Sequence, residues 1–128
     1  MSDAPADLKY TRSHEWVRTL PDGNVEVGIT DHAQGALGDL VFVEVPEAGK
    51  SFKAGDTFAV VESVKAASDV YAPLAGTVIE GNATLNGQPE LINSEPYKGG
   101  WIMRLKPSGA PQGLLSAAEY QAHLAAEG

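Results

Sequence analysis

The chain has 128 residues, 43% of them hydrophobic and 20% charged, with a formal net charge of −8 and no cysteine. That composition suits one globular domain whose core needs no disulfide staples, and it leaves no thiol for nucleophilic, metal-binding or redox chemistry. The nine basic residues are scattered, so nucleic acid and anionic membranes have no basic footprint to bind, and no apolar run approaches the roughly 20 residues of a membrane span.

Residues 1–7 are acidic and lack an apolar signal region, which reads as a flexible, frayed arm on a cytoplasmic protein, ahead of one domain over 8–128. Ser13-His14-Glu15-Trp16 follows, with Trp16 expected in the core or at its rim and Glu15 pointing the other way as a surface carboxylate. Trp16 to Leu20 and Val25 to Ile29 flank the turn Pro21-Asp22-Gly23-Asn24; Val25, Val27 and Ile29 alternate with Glu26 and Gly28 as in a half-buried strand. Thr30-Asp31-His32-Ala33-Gln34 opens a short helix with capping residue types and stops near Gly35 or Gly38. Val41, Val43 and Val45 alternate with Phe42 and Glu44 in a further strand. Strands are also expected at Thr57 to Val61, Asp69 to Tyr71, Gly76 to Glu80 and Trp101 to Leu105.

A second short helix is expected from Gln88 to Asn93, with Pro89 at its first position. A C-terminal helix over about 116–126 opens with the capping box Ser116-Ala117-Ala118-Glu119 and the staple pair Leu115 and Tyr120, with Leu124 on the same face. Seven short strands with Gly and Pro turns indicate a mainly β sandwich or barrel. Pro46-x-x-Gly49-x-x-Phe52 is echoed by Pro73-x-x-Gly76-x-x-Ile79 on the other side of Lys65. Either two similar units are related by an approximate two-fold, or Pro and Gly only mark turns.

Lys65 lies between two alternating runs, in Glu62-Ser63-Val64-Lys65-Ala66-Ala67-Ser68-Asp69. A lysine in a hairpin turn is ordinarily a solubilising charge. Here rigid valine flanks, small residues after the lysine, and carboxylates at Glu62 and Asp69 suit a modifying enzyme that recognises and acylates one amine. An exposed amine is mostly protonated at neutral pH and makes a poor catalytic nucleophile unless buried or placed beside a cation. His14, His32 and His123 are far apart in sequence and show no metal-ligand spacing. No phosphate-binding loop or nucleophile motif accompanies them, which leaves no catalytic residues and no metal site, and points to a carrier, not an enzyme.

These segments together resemble the H-protein family of the glycine cleavage system, whose members carry lipoate. The resemblance rests on Ser13-His14-Glu15-Trp16-Val17, Val27-Gly28-Ile29-Thr30-Asp31-His32-Ala33-Gln34 and Leu37-Gly38-Asp39, continues through Glu62 to Val70, and ends with Leu91-Ile92-Asn93, Pro96-Tyr97 and Gly100-Trp101. It implies a barrel–sandwich hybrid of two small antiparallel sheets, lipoate in amide linkage to Lys65, and a groove for the aminomethyl-loaded arm made by Glu15, Ser13 and Asp69. It further implies a pyridoxal-phosphate glycine decarboxylase (P protein), a tetrahydrofolate-dependent aminomethyltransferase (T protein) and dihydrolipoamide dehydrogenase (L protein) as partners of a monomeric carrier. A lipoate ligase or an octanoyl or lipoyl transferase would attach the cofactor. Family members often have a second histidine four residues after the one matching His32; this chain has Ala36 there. Lipoyl domains of 2-oxo acid dehydrogenases and biotinyl domains share the lysine-on-hairpin logic, but their Asp-Lys-Ala and Met-Lys-Met tips differ from Val64-Lys65-Ala66. A carrier relaying lipoyl groups to other enzymes, or an unmodified acidic interaction module, are the alternatives.

Overall fold

The computed structural model describes residues 4–109 and 113–127. In chain order the strands and helices are β1 (Lys9–Tyr10), β2 (Glu15–Thr19), β3 (Val25–Ile29), α1 (Asp31–Leu37), β4 (Leu40–Glu44), β5 (Ser51–Phe52), β6 (Thr57–Ser63), β7 (Ala67–Tyr71), β8 (Gly76–Gly81), α2 (Thr84–Gly87), α3 (Leu91–Ser94), β9 (Met103–Pro107) and α4 (Ala117–Glu127). They form a six-stranded sheet, β1-β2-β3-β9-β8-β5, and a three-stranded sheet, β4-β6-β7, antiparallel throughout. The expected two-sheet β fold with short helices and a C-terminal helix is the observed one.

One long hairpin joins the two sheets. Ser51 pairs with Thr77, Thr57 with Tyr71 and Glu62 with Ala67, so the register continues from β5:β8 into β6:β7 with a single shift between Thr57 and Ala59. The two echo segments are therefore partners: Val78 N–H donates to the Lys50 carbonyl at 2.7 Å, and Gly49 N–H to the Val78 carbonyl at 2.8 Å. Their glycines do different work. Gly49 has φ +92° in a turn, whereas a Cβ on Gly76 would collide with the Lys106 carbonyl across the sheet.

β3 is buried along its whole length, not half-buried as its alternation suggests. It lies between β2 and β9, and its two odd residues are accommodated individually. Arg18 and Arg104 clamp the Glu26 carboxylate at 2.9 and 3.1 Å, and a Cβ on Gly28 would stand 2.8 Å from the Trp16 ring. Pairing supplies the charge and hydrogen-bond partners that make a buried carboxylate tolerable. In β4 a bulge between Leu40 and Phe42 breaks the alternation, so Val41 and Phe42 both face solvent. The strand expected at Trp101 to Leu105 begins at Met103, and Trp101, ahead of it, packs under the Arg104 guanidinium, 4.1 Å from its ring centroid. The helix expected from Gln88 begins at Leu91, with Pro89 and Glu90 in the preceding turn.

The main core lies between the sheets. A second cluster joins Leu8, Tyr10, Trp16, Tyr97, Leu115 and Tyr120, with Ala4 and Leu124 at its margin. The capping box of α4 is formed as expected: Ser116 N–H donates to Glu119 Oε1 at 2.8 Å and Glu119 N–H to Ser116 Oγ at 3.2 Å. Hydrogen bonding to Ser116 holds the Glu119 carboxyl below its ordinary range. Of the N-terminal segment, residues 1–3 lie outside the described residues, and the Pro5 carbonyl accepts a 2.6 Å bond from the Tyr10 hydroxyl. Among the described residues no helix is long and apolar enough to cross a membrane.

Candidate functional site

Lys65 stands at the tip of the β6–β7 hairpin, between Val64, which is 75% exposed, and Ala66. Two-residue hairpins favour mirror-image turns with positive φ, yet neither Val64 nor Lys65 has one. Ser63 compensates. Its hydroxyl accepts the amides of Lys65 at 3.3 Å and Ala66 at 3.1 Å and donates to the Ala66 carbonyl at 3.2 Å. Ser63 N–H also donates to that carbonyl at 2.7 Å. The tip is thus a small hydrogen-bonded cage with the lysine on its outside.

A second element supports the tip from behind. Val64 N–H donates to the Asp39 carbonyl at 3.3 Å, and a Cβ on Gly38 would lie 3.8 Å from Lys65 Cε, so the lysine stem crosses the α1–β4 connection. Gly38 has φ +86°, which a side chain would strain. Asn93 fixes the same connection: its amide donates to the Gly38 carbonyl and to Gln34 Oε1, both at 2.9 Å, and its Oδ1 accepts Leu40 N–H at 2.9 Å. Among the described residues no ion pair or side-chain hydrogen bond engages the Lys65 ammonium. The amine is available for acylation, and the residues around it fit an amide-linked arm.

Glu15 is the main correction to the surface reading: it is 2% exposed. The Thr11 and Ser13 hydroxyls each donate to Oε1 at 2.6 Å, and Tyr71 N–H at the end of β7 donates to Oε2 at 3.3 Å. Burial pushes the carboxyl above its ordinary value of 4.5, against the opposing effect of the Ser13, Thr11 and Tyr71 bonds. Ser13 and Glu15 are therefore in direct contact, and the lysine-bearing hairpin touches Glu15 through Tyr71. Asp69 lies two residues before Tyr71 and is exposed; among the described residues no hydrogen bond joins it to Ser13 or Glu15. Glu62 is exposed on the outer face of the small sheet, opposite Phe42 and Ala67. Ala36 is exposed on α1.

Sequence reading missed Thr11, although Thr11-x-Ser13-x-Glu15 is a visible period of two. It also missed the histidine contacts. His14 lies 4.7 Å from His32 and 5.9 Å from His123 between ring centroids, and its Nδ1 is 2.8 Å from the Tyr120 hydroxyl. Among the described residues no group of histidines and carboxylates is arranged to hold a metal ion.

Comparison with known proteins agrees with this architecture. Residues 8–127 match the family model described as glycine cleavage H-protein. The chain is 60% identical to the glycine cleavage system H protein of Halorhodospira halophila over 130 residues, covering all of both chains. It is 54% identical to that of Escherichia coli strain K12 / DH10B over 126 residues, covering 97% of this chain and 98% of the other. The solved H protein of Mycobacterium marinum superimposes with a TM-score of 0.89 at 42% identity, covering 94% of this chain and 98% of that one.

Proposed function

Since the chain belongs to the glycine cleavage H-protein family, we propose that it is a non-catalytic carrier whose Lys65 holds lipoate in amide linkage. The observation that carries this reading is a lysine amine that no side chain among the described residues engages, on a hydrogen-bonded hairpin tip. The lipoyl group, when bound, supplies the dithiol and disulfide chemistry that a cysteine-free chain lacks. The cargo is the aminomethyl group of glycine, passed from the pyridoxal-phosphate decarboxylase to the tetrahydrofolate-dependent aminomethyltransferase, with dihydrolipoamide dehydrogenase restoring the disulfide. The exposed carboxylates Glu62 and Asp69 flank the tip and mark it for the lipoylating enzyme. In this reading the protein acts as a single-domain cytoplasmic monomer.

β7 supplies a track for the arm. It runs from the tip to Glu15, and at about 3.4 Å per residue the stretch from Ala67 to Tyr71 is roughly 14 Å long. A lysine lengthened by a lipoyl group can lie along it, with the cargo ammonium near Glu15, Ser13 and Asp69. A carboxylate there offsets the ammonium, and its burial in a sheltering groove excludes the water that would hydrolyse the cargo.

Two measurements test this. Intact-mass and peptide analysis of protein from lipoate-supplied cells should give a lipoyl-sized increment on the Lys65 peptide and none in Lys65→Arg; no increment on that peptide in the unaltered protein rejects the assignment. Glu15→Ala should hydrolyse its aminomethyl cargo faster than the unaltered protein, and equal rates would remove Glu15 from the groove.

A further inference from the structure

The β1–β2 connection folds back on itself around one hydroxyl. Thr11 N–H donates to the Glu15 carbonyl at 3.0 Å, and His14 N–H donates to the Thr11 carbonyl at 3.2 Å. His14 carries φ +74° to close the loop. Within it, Glu15 N–H donates to Thr11 Oγ1 at 3.0 Å, so the hydroxyl already serves as an acceptor. Its single proton is then directed at Glu15 Oε1, 2.6 Å away. The Ser13 hydroxyl donates to the same oxygen at 2.6 Å.

The two carboxylate oxygens are therefore unequal. Oε1 accepts two short bonds, which occupy both of its lone pairs. Oε2, among the described residues, is engaged by the longer 3.3 Å bond from Tyr71 N–H at the end of the hairpin strand. We propose that Thr11 is a positioning residue for Glu15: with Ser13 it saturates Oε1 and locks the side chain so that Oε2 is the oxygen that receives an incoming ammonium.

This deepens the groove reading of Glu15 and rests on it. The titratable neighbours along the hairpin strand are Asp69 and Tyr71. On the loop they are Arg12 and His14, the latter engaged with the Tyr120 hydroxyl; the β3 residue opposite Glu15 is the apolar Ile29. No charged side chain is bonded to the Glu15 carboxyl among the described residues, so burial first, and then the opposing hydroxyl and amide donors, set its ionisation. Those donors favour the charged form against burial.

The test uses the full chain, with Thr11→Val removing the hydroxyl at nearly constant shape and Thr11→Ser retaining it. In the cargo-free protein, carbon-detected NMR titration of the Glu15 carboxyl should show a higher midpoint for Thr11→Val and an unchanged one for Thr11→Ser. In the loaded protein at neutral pH, Thr11→Val should lose its aminomethyl cargo roughly tenfold faster, the scale of one hydrogen bond to a charged group. A Thr11→Val midpoint equal to that of the unaltered protein overturns the proposal. If Thr11→Val does not fold, Thr11→Ala, which also removes the hydroxyl, carries the same expectation and the same overturning result. The titration needs no cargo, so it judges Thr11 even where Glu15→Ala leaves hydrolysis unchanged and the groove reading itself fails.

Discussion

Burial takes water away from the Glu15 carboxylate and so favours its protonated form, while the Ser13 and Thr11 hydroxyls and the backbone amides of Tyr71 and Glu15 recover only part of the loss. The sign of the resulting pH dependence is definite. Between 4.5, where the group ordinarily titrates, and its higher folded value, the folded protein holds more protons than the unfolded chain. The contribution of Glu15 to stability is therefore present below 4.5 and is lost as pH rises through the folded value. Urea unfolding at a series of pH values should show this slope in the unaltered protein and its absence in Glu15→Gln; parallel curves would contradict it. The pattern Thr11-x-Ser13-x-Glu15 was readable as a line of polar residues. Its depth was not, because depth depends on segments distant in sequence, among them the end of β7, where Tyr71 N–H, 56 residues away, donates to the carboxyl.

The β6–β7 hairpin was legible as an element: two β-rich runs around small residues predict it, and its strands appear within a few residues of the expected ends. How the turn is satisfied was not, because Ser63 replaces the positive-φ geometry that hairpin patterns usually signal. Ser63→Ala should cost about 1 kcal/mol and leave the Lys65 and Ala66 amides to solvent. Hydrogen exchange should quicken at residues 63–66 and stay unchanged in β3; a uniform change across the chain would show that the cage is not local. β3 teaches the opposite lesson. Its alternation was real, but flanking strands on both sides buried its polar positions too. Glu26 tolerates that only because Arg18, on the neighbouring strand, and Arg104, on the other, converge on it.

At the scale of the whole molecule, the two sheets share one hairpin, which carries the lysine outward and brings its stem back to the body. The hairpin turn at Lys65, the number and order of most strands, and the capped C-terminal helix follow from local signals: alternation, turn residues and a capping box act over a few neighbouring positions, and the sequence by itself determined them. Family membership was equally legible, because ordered motifs spread from Ser13 to Trp101 are specific in combination. Only the tertiary structure decided that Glu15 is buried, that Thr11 and Ser13 share one of its oxygens, and that Asn93 and Gly38 brace the ground beneath the lysine. It also decided that His14, His32 and His123 meet, although they come from a loop, from α1 and from α4. The physical reason is common to all of these. Burial and hydrogen-bond partnership are set by which distant segments pack together, and no local period encodes that.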